Sequence, residues 1–233
     1  MKKGKLYKIL LLDCDHKNAL AIARHLGSSG KYQIDGVSLN KTSLTFYSKY
    51  IFRKYVLINP HKDPATYLNE LLSLLAEHSY SALIPVSYLS NQICAEHKDQ
   101  IQQYTHVSIA DPRSIKLASS KIETYTLAGQ LDIPYPEMII LKDADDISSV
   151  NPPFPCVIKA PFEAGKNLVE YAYNRKQLLK KYQKMCKVHQ FTDILPIIQR
   201  FVAGAGYGFF AYYEEGVCKN YFMHKRVREY PVT

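Results

Sequence analysis

The first hundred or so residues alternate short apolar runs with helix-like patterns, and no other feature of the sequence narrows the fold as much. Residues 8–12 read as a buried strand. Residues 34–39, 54–58, 82–86 and 107–110 read as four more. Between them, residues 18–26 have helical spacing, with Asp15 as the expected cap and Gly27 and Gly30 as the stop. Asp63-Pro64 pairs a capping carboxylate with a proline at the first helical position, ahead of Leu68, Leu71, Leu72 and Leu75 at helical spacing. A further helix is expected over 89–97. Strands joined through helices lie parallel, with helices on both faces of the sheet. The expected fold class is therefore α/β, beginning with a doubly wound parallel sheet.

The pattern changes after residue 110. Asp111-Pro112 opens a helical stretch and residues 121–131 form another, before Pro134 and Pro136 break the periodicity. Strands are then expected at 137–141, 156–159 and 168–172, followed by a helix over 175–188. Strands at 196–202, 207–213 and 217–224 follow, the last two joined by a turn at Glu214-Glu-Gly216. This is an α+β pattern with hairpins. The expected domains are 1–110, 111–190 and 191–233.

The chain of 233 residues is 47% hydrophobic and 22% charged, which is ordinary globular composition. Its five cysteines stand singly, without a CxxC pair, and fit a reducing, cytoplasmic setting better than a disulfide framework or zinc ribbon. The basic start Met-Lys-Lys-Gly-Lys precedes an apolar run that Asp13 and Asp15 end too early for a signal peptide. No apolar stretch is long enough to span a membrane. The net charge of +9 favours anionic partners. Its lysines are spread along the chain, and no zinc finger, helix-turn-helix or RNP-type motif accompanies them, so a nucleic-acid partner is not expected.

Several residues could carry chemistry. The first βα turn, Asp13-Cys-Asp-His-Lys-Asn18, lacks the glycines with which a dinucleotide fold approaches a pyrophosphate. The helix N-terminus that follows could meet a small substrate, but Asp13 and Asp15 read first as helix caps. Lys159 ends the apolar run Pro155-Cys-Val-Ile-Lys, where a half-desolvated ammonium needs an anion, unless it sits on an edge strand facing water. Gly165 and Lys166 follow in a loop able to close over phosphates, and Lys121 opens a helix. Gln199 lies in Pro196-Ile-Ile-Gln-Arg-Phe-Val202, either a plain core strand or one offering its amide and the Phe201 and Val202 backbone to a base. Arg226 and Arg228 alternate onto one side of a strand end. They suit a triphosphate or a carboxylate, or simply water. Cys94 and His97 lie one helical turn apart, but two ligands do not make a metal site.

Six segments, in order, resemble the ATP-grasp superfamily, and especially its carbamoyl-phosphate-synthase-large-subunit-like branch. Leu10 to Arg24 is similar to the start of the pre-ATP-grasp domain, and Ala82-Leu-Ile-Pro-Val86 to a later strand of it. Ser120-Lys121 followed by Leu131-Asp-Ile-Pro-Tyr-Pro136 resembles the entry to the grasp. Phe154 to Pro161 resembles its lysine strand, Ile198 to Gly204 its hinge, and Phe222 to Pro231 the branch's arginine segment. The resemblance implies a pre-ATP-grasp domain followed by an ATP-grasp domain incomplete at its C-terminus. It implies an ATP-dependent ligase that converts a small carboxylate to an acylphosphate for attack by an amine or similar nucleophile.

By that likeness Lys121, Lys159 and Lys166 hold phosphates. Gln199, Phe201 and Val202 hold adenine, Tyr207 stands where a ribose-binding carboxylate is expected, and Arg226 and Arg228 meet the γ-phosphate or the substrate. Gln199 itself occupies a position that is often glutamate. The family's Mg2+ ligands are expected beyond residue 233, which leaves this chain incomplete for catalysis. A missing C-terminal segment or a partner chain would complete it. The alternative is a non-catalytic nucleotide- or ligand-binding module, or one half of a split ligase.

Overall fold

A computed structural model describes residues 6–161, 169–189 and 194–228. Contacts divide the chain into two compact units, Met1–Ile133 and Pro134–Thr233.

The first unit contains β1 (Tyr7–Leu11), α1 (Lys17–Ser28), β2 (Tyr32–Ser38), β3 (Ile51–Val56), α2 (Pro64–Glu77) and β4 (Ala82–Ile84). It continues with α3 (Tyr88–Glu96), α4 (Lys98–Gln102), β5 (His106–Val107), α5 (Pro112–Ser119) and α6 (Lys121–Gln130). The five strands form one parallel sheet in the order β3-β2-β1-β4-β5. Alternation explains why β1 is central. Ile9 and Leu11 face a core with Ala19, Ala23, Ile34 and Phe46, while Leu10 and Leu12 face another with Tyr67, Leu71, Leu75 and Ile93. A strand buried on both faces must be apolar throughout, and this one is.

The local helix signals hold where they depend on neighbouring residues. Asp63 accepts from the Thr66 N–H at 3.0 Å and Asp111 from the Ser114 N–H at 3.0 Å, each with a proline at the first helical turn. β3 begins at Ile51, before the expected residue 54. The contact division falls after Ile133, so α5 and α6 join the first unit instead of opening a second domain at 111. The reason is packing: α5 lies beside α3, and Ser119 Oγ donates to Tyr88 Oη at 3.1 Å.

The second unit contains β6 (Met138–Ile139), β7 (Cys156–Lys159), β8 (Val169–Ala172), α7 (Arg175–His189), β9 (Ile197–Arg200), β10 (Tyr207–Glu214) and β11 (Val217–Lys225). β6 to β9 form an antiparallel sheet in the order β6-β9-β7-β8. One face carries Cys156, Ile158, Ala172 and Ile198 and packs on Leu178, Tyr182 and Met185 of α7. Those three helix residues recur at helical spacing, so α7 presents one apolar stripe to the sheet. β10 and β11 pair antiparallel as a separate two-stranded sheet. No helix among the described residues is long and apolar enough to cross a membrane.

Candidate functional site

In the second unit the sheet face turned away from α7 carries the polar chemistry. Strand alternation puts Ile158 and Ile198 on the α7 side, so Lys159 and Gln199 project from the other. The register pairs Lys159 with Ile197 and Val157 with Gln199, which makes Lys159 and Gln199 diagonal neighbours. Lys159 Nζ donates to Gln199 Oε1 at 2.6 Å. The edge-strand alternative for Lys159 is therefore excluded: β7 lies inside the sheet, between β9 and β8.

This pair leaves two chemical demands unmet. Lys159 is half-buried, its partner is a neutral amide, and among the described residues no carboxylate lies within ion-pair range of it. An ammonium has three donors and Gln199 takes one, so two remain for an anion. Gln199 is 3% exposed, and among the described residues its Nε2 has no hydrogen-bond partner. The amide cannot be turned around to relieve this, because a lysine only donates and must face the carbonyl oxygen. An unpaired buried donor costs about 1–3 kcal/mol.

Around the amide the sheet face is apolar and aromatic. Met138 on β6 and Val157 on β7 flank Gln199 in register, and Tyr171 on β8 is level with Val157. Phe201, just past β9, meets the Tyr171 ring edge to face at 6.1 Å. The strand is held up to this point, with the Arg200 N–H donating to the Glu137 carbonyl at 2.9 Å. Beyond it, among the described residues, no backbone partner takes the N–H or C=O of Phe201 and Val202. Met138 and Tyr171 were not picked out by sequence reasoning. The alternation of Val169-Glu-Tyr-Ala172 was the available signal for Tyr171, but its neighbour depends on strand order.

The other expected residues are carried by other elements. Lys121 opens α6 in the first unit, directly after the cap Ser120, whose Oγ accepts from the Glu123 N–H at 3.2 Å. Tyr207 and Arg226 both lie at the open end of the β10–β11 hairpin. Lys225 Nζ lies 5.9 Å from the centre of the Tyr207 ring, and the Arg226 N–H donates to the Gly206 carbonyl at 2.7 Å. Arg226 and Arg228 follow the end of β11 instead of alternating within it. Lys166 and its loop lie outside the described residues.

Asp15 does not cap α1: the N-cap is His16, without a side-chain bond. The neighbouring carboxylate does more. Asp13, at φ 57°, accepts from the N–H groups of Val86 and Ser87 at 2.8 and 2.7 Å and from the hydroxyls of Ser87 and Ser90 at 3.0 and 2.5 Å. The chain's own carboxylate thus fills the donor nest at the start of α3, at the carboxyl ends of the adjacent strands β1 and β4. In such sheets that point is where ligand anions bind. Cys94 is fully buried, and burial pushes its thiol up to about 12, which withholds the thiolate a metal pair with His97 would need. Among the described residues no group of three or more His, Cys, Asp or Glu side chains is placed to hold a metal ion.

Comparison with known proteins decides the fold at this point. The L-amino acid ligase from Bacillus licheniformis superposes with a TM-score of 0.67 at 13% identity, over 88% of this chain and 46% of that one. The purK N5-carboxyaminoimidazole ribonucleotide synthetase, solved with ADP, gives 0.66 at 10% identity, over 100% and 58%. The biotin carboxylase domain of the Hydrogenobacter thermophilus 2-oxoglutarate carboxylase, solved with MgADP and bicarbonate, gives 0.60 at 15% identity, over 87% and 46%. The chain has the fold of ATP-grasp ligases. It spans about half the length of these structures. No protein-family model matches it, and no curated protein matches it in sequence.

Proposed function

We propose that this chain is the nucleotide-binding portion of an ATP-dependent carboxylate ligase. The observation that carries the reading is the Lys159–Gln199 pair: a half-buried ammonium without a carboxylate, bonded to a buried amide whose Nε2 lacks an acceptor. A glutamine amide, donor and acceptor side by side, complements the N6 amine and N7 of adenine. Gln199 would therefore read the base edge, with Phe201 and Tyr171 as an apolar wall and the backbone of Phe201 and Val202 completing the contacts. Lys159 would give its two remaining donors to phosphate oxygens. Lys121, Lys166, Arg226 and Arg228 are further cations for the phosphates or the carboxylate, and Tyr207 stands in the ribose position.

In the reaction proposed for the whole ligase, a carboxylate oxygen attacks the γ-phosphorus and ADP leaves. An amine or similar nucleophile then displaces phosphate from the acylphosphate. What these residues contribute is binding and charge neutralisation. Mg2+ would neutralise the phosphates further, but no described residue is assigned to it. The neighbours solved with ADP and MgADP support the nucleotide reading, and the arginine segment supports placement in the carbamoyl-phosphate-synthase-like branch. The test is calorimetric titration with ATP. Wild type should bind, and Lys159→Ala should weaken binding at least tenfold, about 1.4 kcal/mol, with unchanged circular dichroism. Equal affinities in the two proteins would contradict the assignment.

A further inference from the structure

Six of the 15 residues of α7 are Lys or Arg, and none is Asp or Glu. Two of the six have partners. The Arg175 guanidinium donates to the carbonyls of Ser148 and Val150, the latter at 3.2 Å. Lys181 Nζ lies 3.4 Å from a Glu170 carboxylate oxygen and donates to the Tyr171 carbonyl at 2.6 Å. Lys176, Lys180, Lys184 and Lys187 are exposed, and among the described residues no carboxylate lies within ion-pair range of them. At about 100° per residue these four fall within about 80° of the helix circumference. They stand opposite Leu178, Tyr182 and Met185, which pack on the sheet. Leu179 and Val188 flank the lysines on either side, Val188 at 63% exposure, and an open groove of about 570 Å³ runs over this face. A solvated helix face usually interleaves the two signs, because like charges three or four residues apart work against the helix. Lys176 also stands in the first turn, where the helix dipole disfavours a cation. An anion laid along this face relieves both penalties.

We propose that this face of α7 docks an acidic amphipathic helix of a partner protein. Spacing and flanks select that occupant. Lys176, Lys180 and Lys184 climb the helix in steps of about 6 Å, and acids four residues apart on a second helix climb by the same step. Successive pairs therefore stay in register. Leu179, Val188 and the lysine stems give apolar residues of the partner a surface to cover. A phosphodiester backbone would use the charges and leave Leu179 and Val188 idle. The tyrosine of α7, Tyr182, is fully buried, so it offers a base no ring to stack on. An anionic bilayer takes up a helix by its apolar face, and that of α7 is already packed on the sheet. A second copy of this chain, with a net charge of +9, is repelled by its own charge. The face lies on the opposite side of the sheet from Lys159 and Gln199, apart from the proposed nucleotide site.

The probe is a labelled synthetic peptide of about 20 residues, long enough to be helical in water, with glutamate at every fourth position and leucines beside that row. Fluorescence anisotropy follows its titration with the full chain at about 0.15 M salt. Binding should saturate, at least tenfold tighter than for polyglutamate, duplex RNA or anionic vesicles carrying equal charge. Lys180→Glu with Lys184→Glu should weaken it at least tenfold, with circular dichroism and ATP binding unchanged. A peptide with lysine in place of two of its glutamates should recover affinity for that variant alone. Lys180→Gln with Lys184→Gln, which removes charge and adds none, should lose less. Absent binding of the acidic helix overturns the proposal, as does equal affinity in wild type and both variants. Equal or tighter binding of polyglutamate, RNA or vesicles also overturns it, because the face would then be a general polyanion surface.

Discussion

At the scale of single residues the account turns on Gln199. Its Oε1 accepts from Lys159 and its Nε2 is buried without an acceptor among the described residues, so the fold carries an uncompensated polar atom. Replacing it with an apolar side chain of similar volume removes that cost, and Lys159, being half-buried, can turn to water. Gln199→Met should therefore leave the ligand-free protein as stable as wild type, or more stable by about 1 kcal/mol, in urea unfolding. The same variant should bind ATP at least tenfold more weakly. Stability and affinity moving in opposite directions marks a residue kept for a ligand. A parallel loss of both would mark an ordinary core amide.

At the scale of elements, Asp13 joins two turns that are far apart in sequence. Its carboxylate takes four donors from Val86, Ser87 and Ser90, and so fixes the end of β1 to the start of α3. Asp13→Ala would leave the N–H groups of Val86 and Ser87 without an acceptor, while the Ser87 and Ser90 hydroxyls keep Ser90 Oγ and the Ser87 carbonyl, and it would strain an alanine at positive φ. It should destabilise the first unit by about 3 kcal/mol. Asp13→Asn, which tolerates that φ and keeps one acceptor, should cost less. Equal losses would mean that backbone conformation alone is at stake. These elements also show what the sequence could disclose. Asp63 and Asp111 were legible as caps because a cap and its N–H lie three residues apart. Asp13 was not, because its partners are 73 to 77 residues away. The strands near 8–12 and 156–159 were legible from apolar runs. That β7 is an interior strand, and that Lys159 therefore meets Gln199, depended on the order β6-β9-β7-β8, which no local pattern encodes.

At the scale of the whole molecule, two units that share their fold with ATP-grasp ligases treat anions differently. The first fills its own anion nest with Asp13; the second presents a lysine and an amide in need of partners. The central claim is that this amide reads adenine. The most direct measurement is the side-chain NH2 resonance of Gln199 in 15N-labelled protein, assigned by its disappearance in Gln199→Met. Addition of ADP should shift this resonance and saturate with the calorimetric affinity. GDP, whose O6 would oppose the Gln199 carbonyl oxygen where adenine offers an amine, should need at least a tenfold higher concentration for the same shift. Saturation by ADP with the Gln199 resonance unmoved would contradict the account.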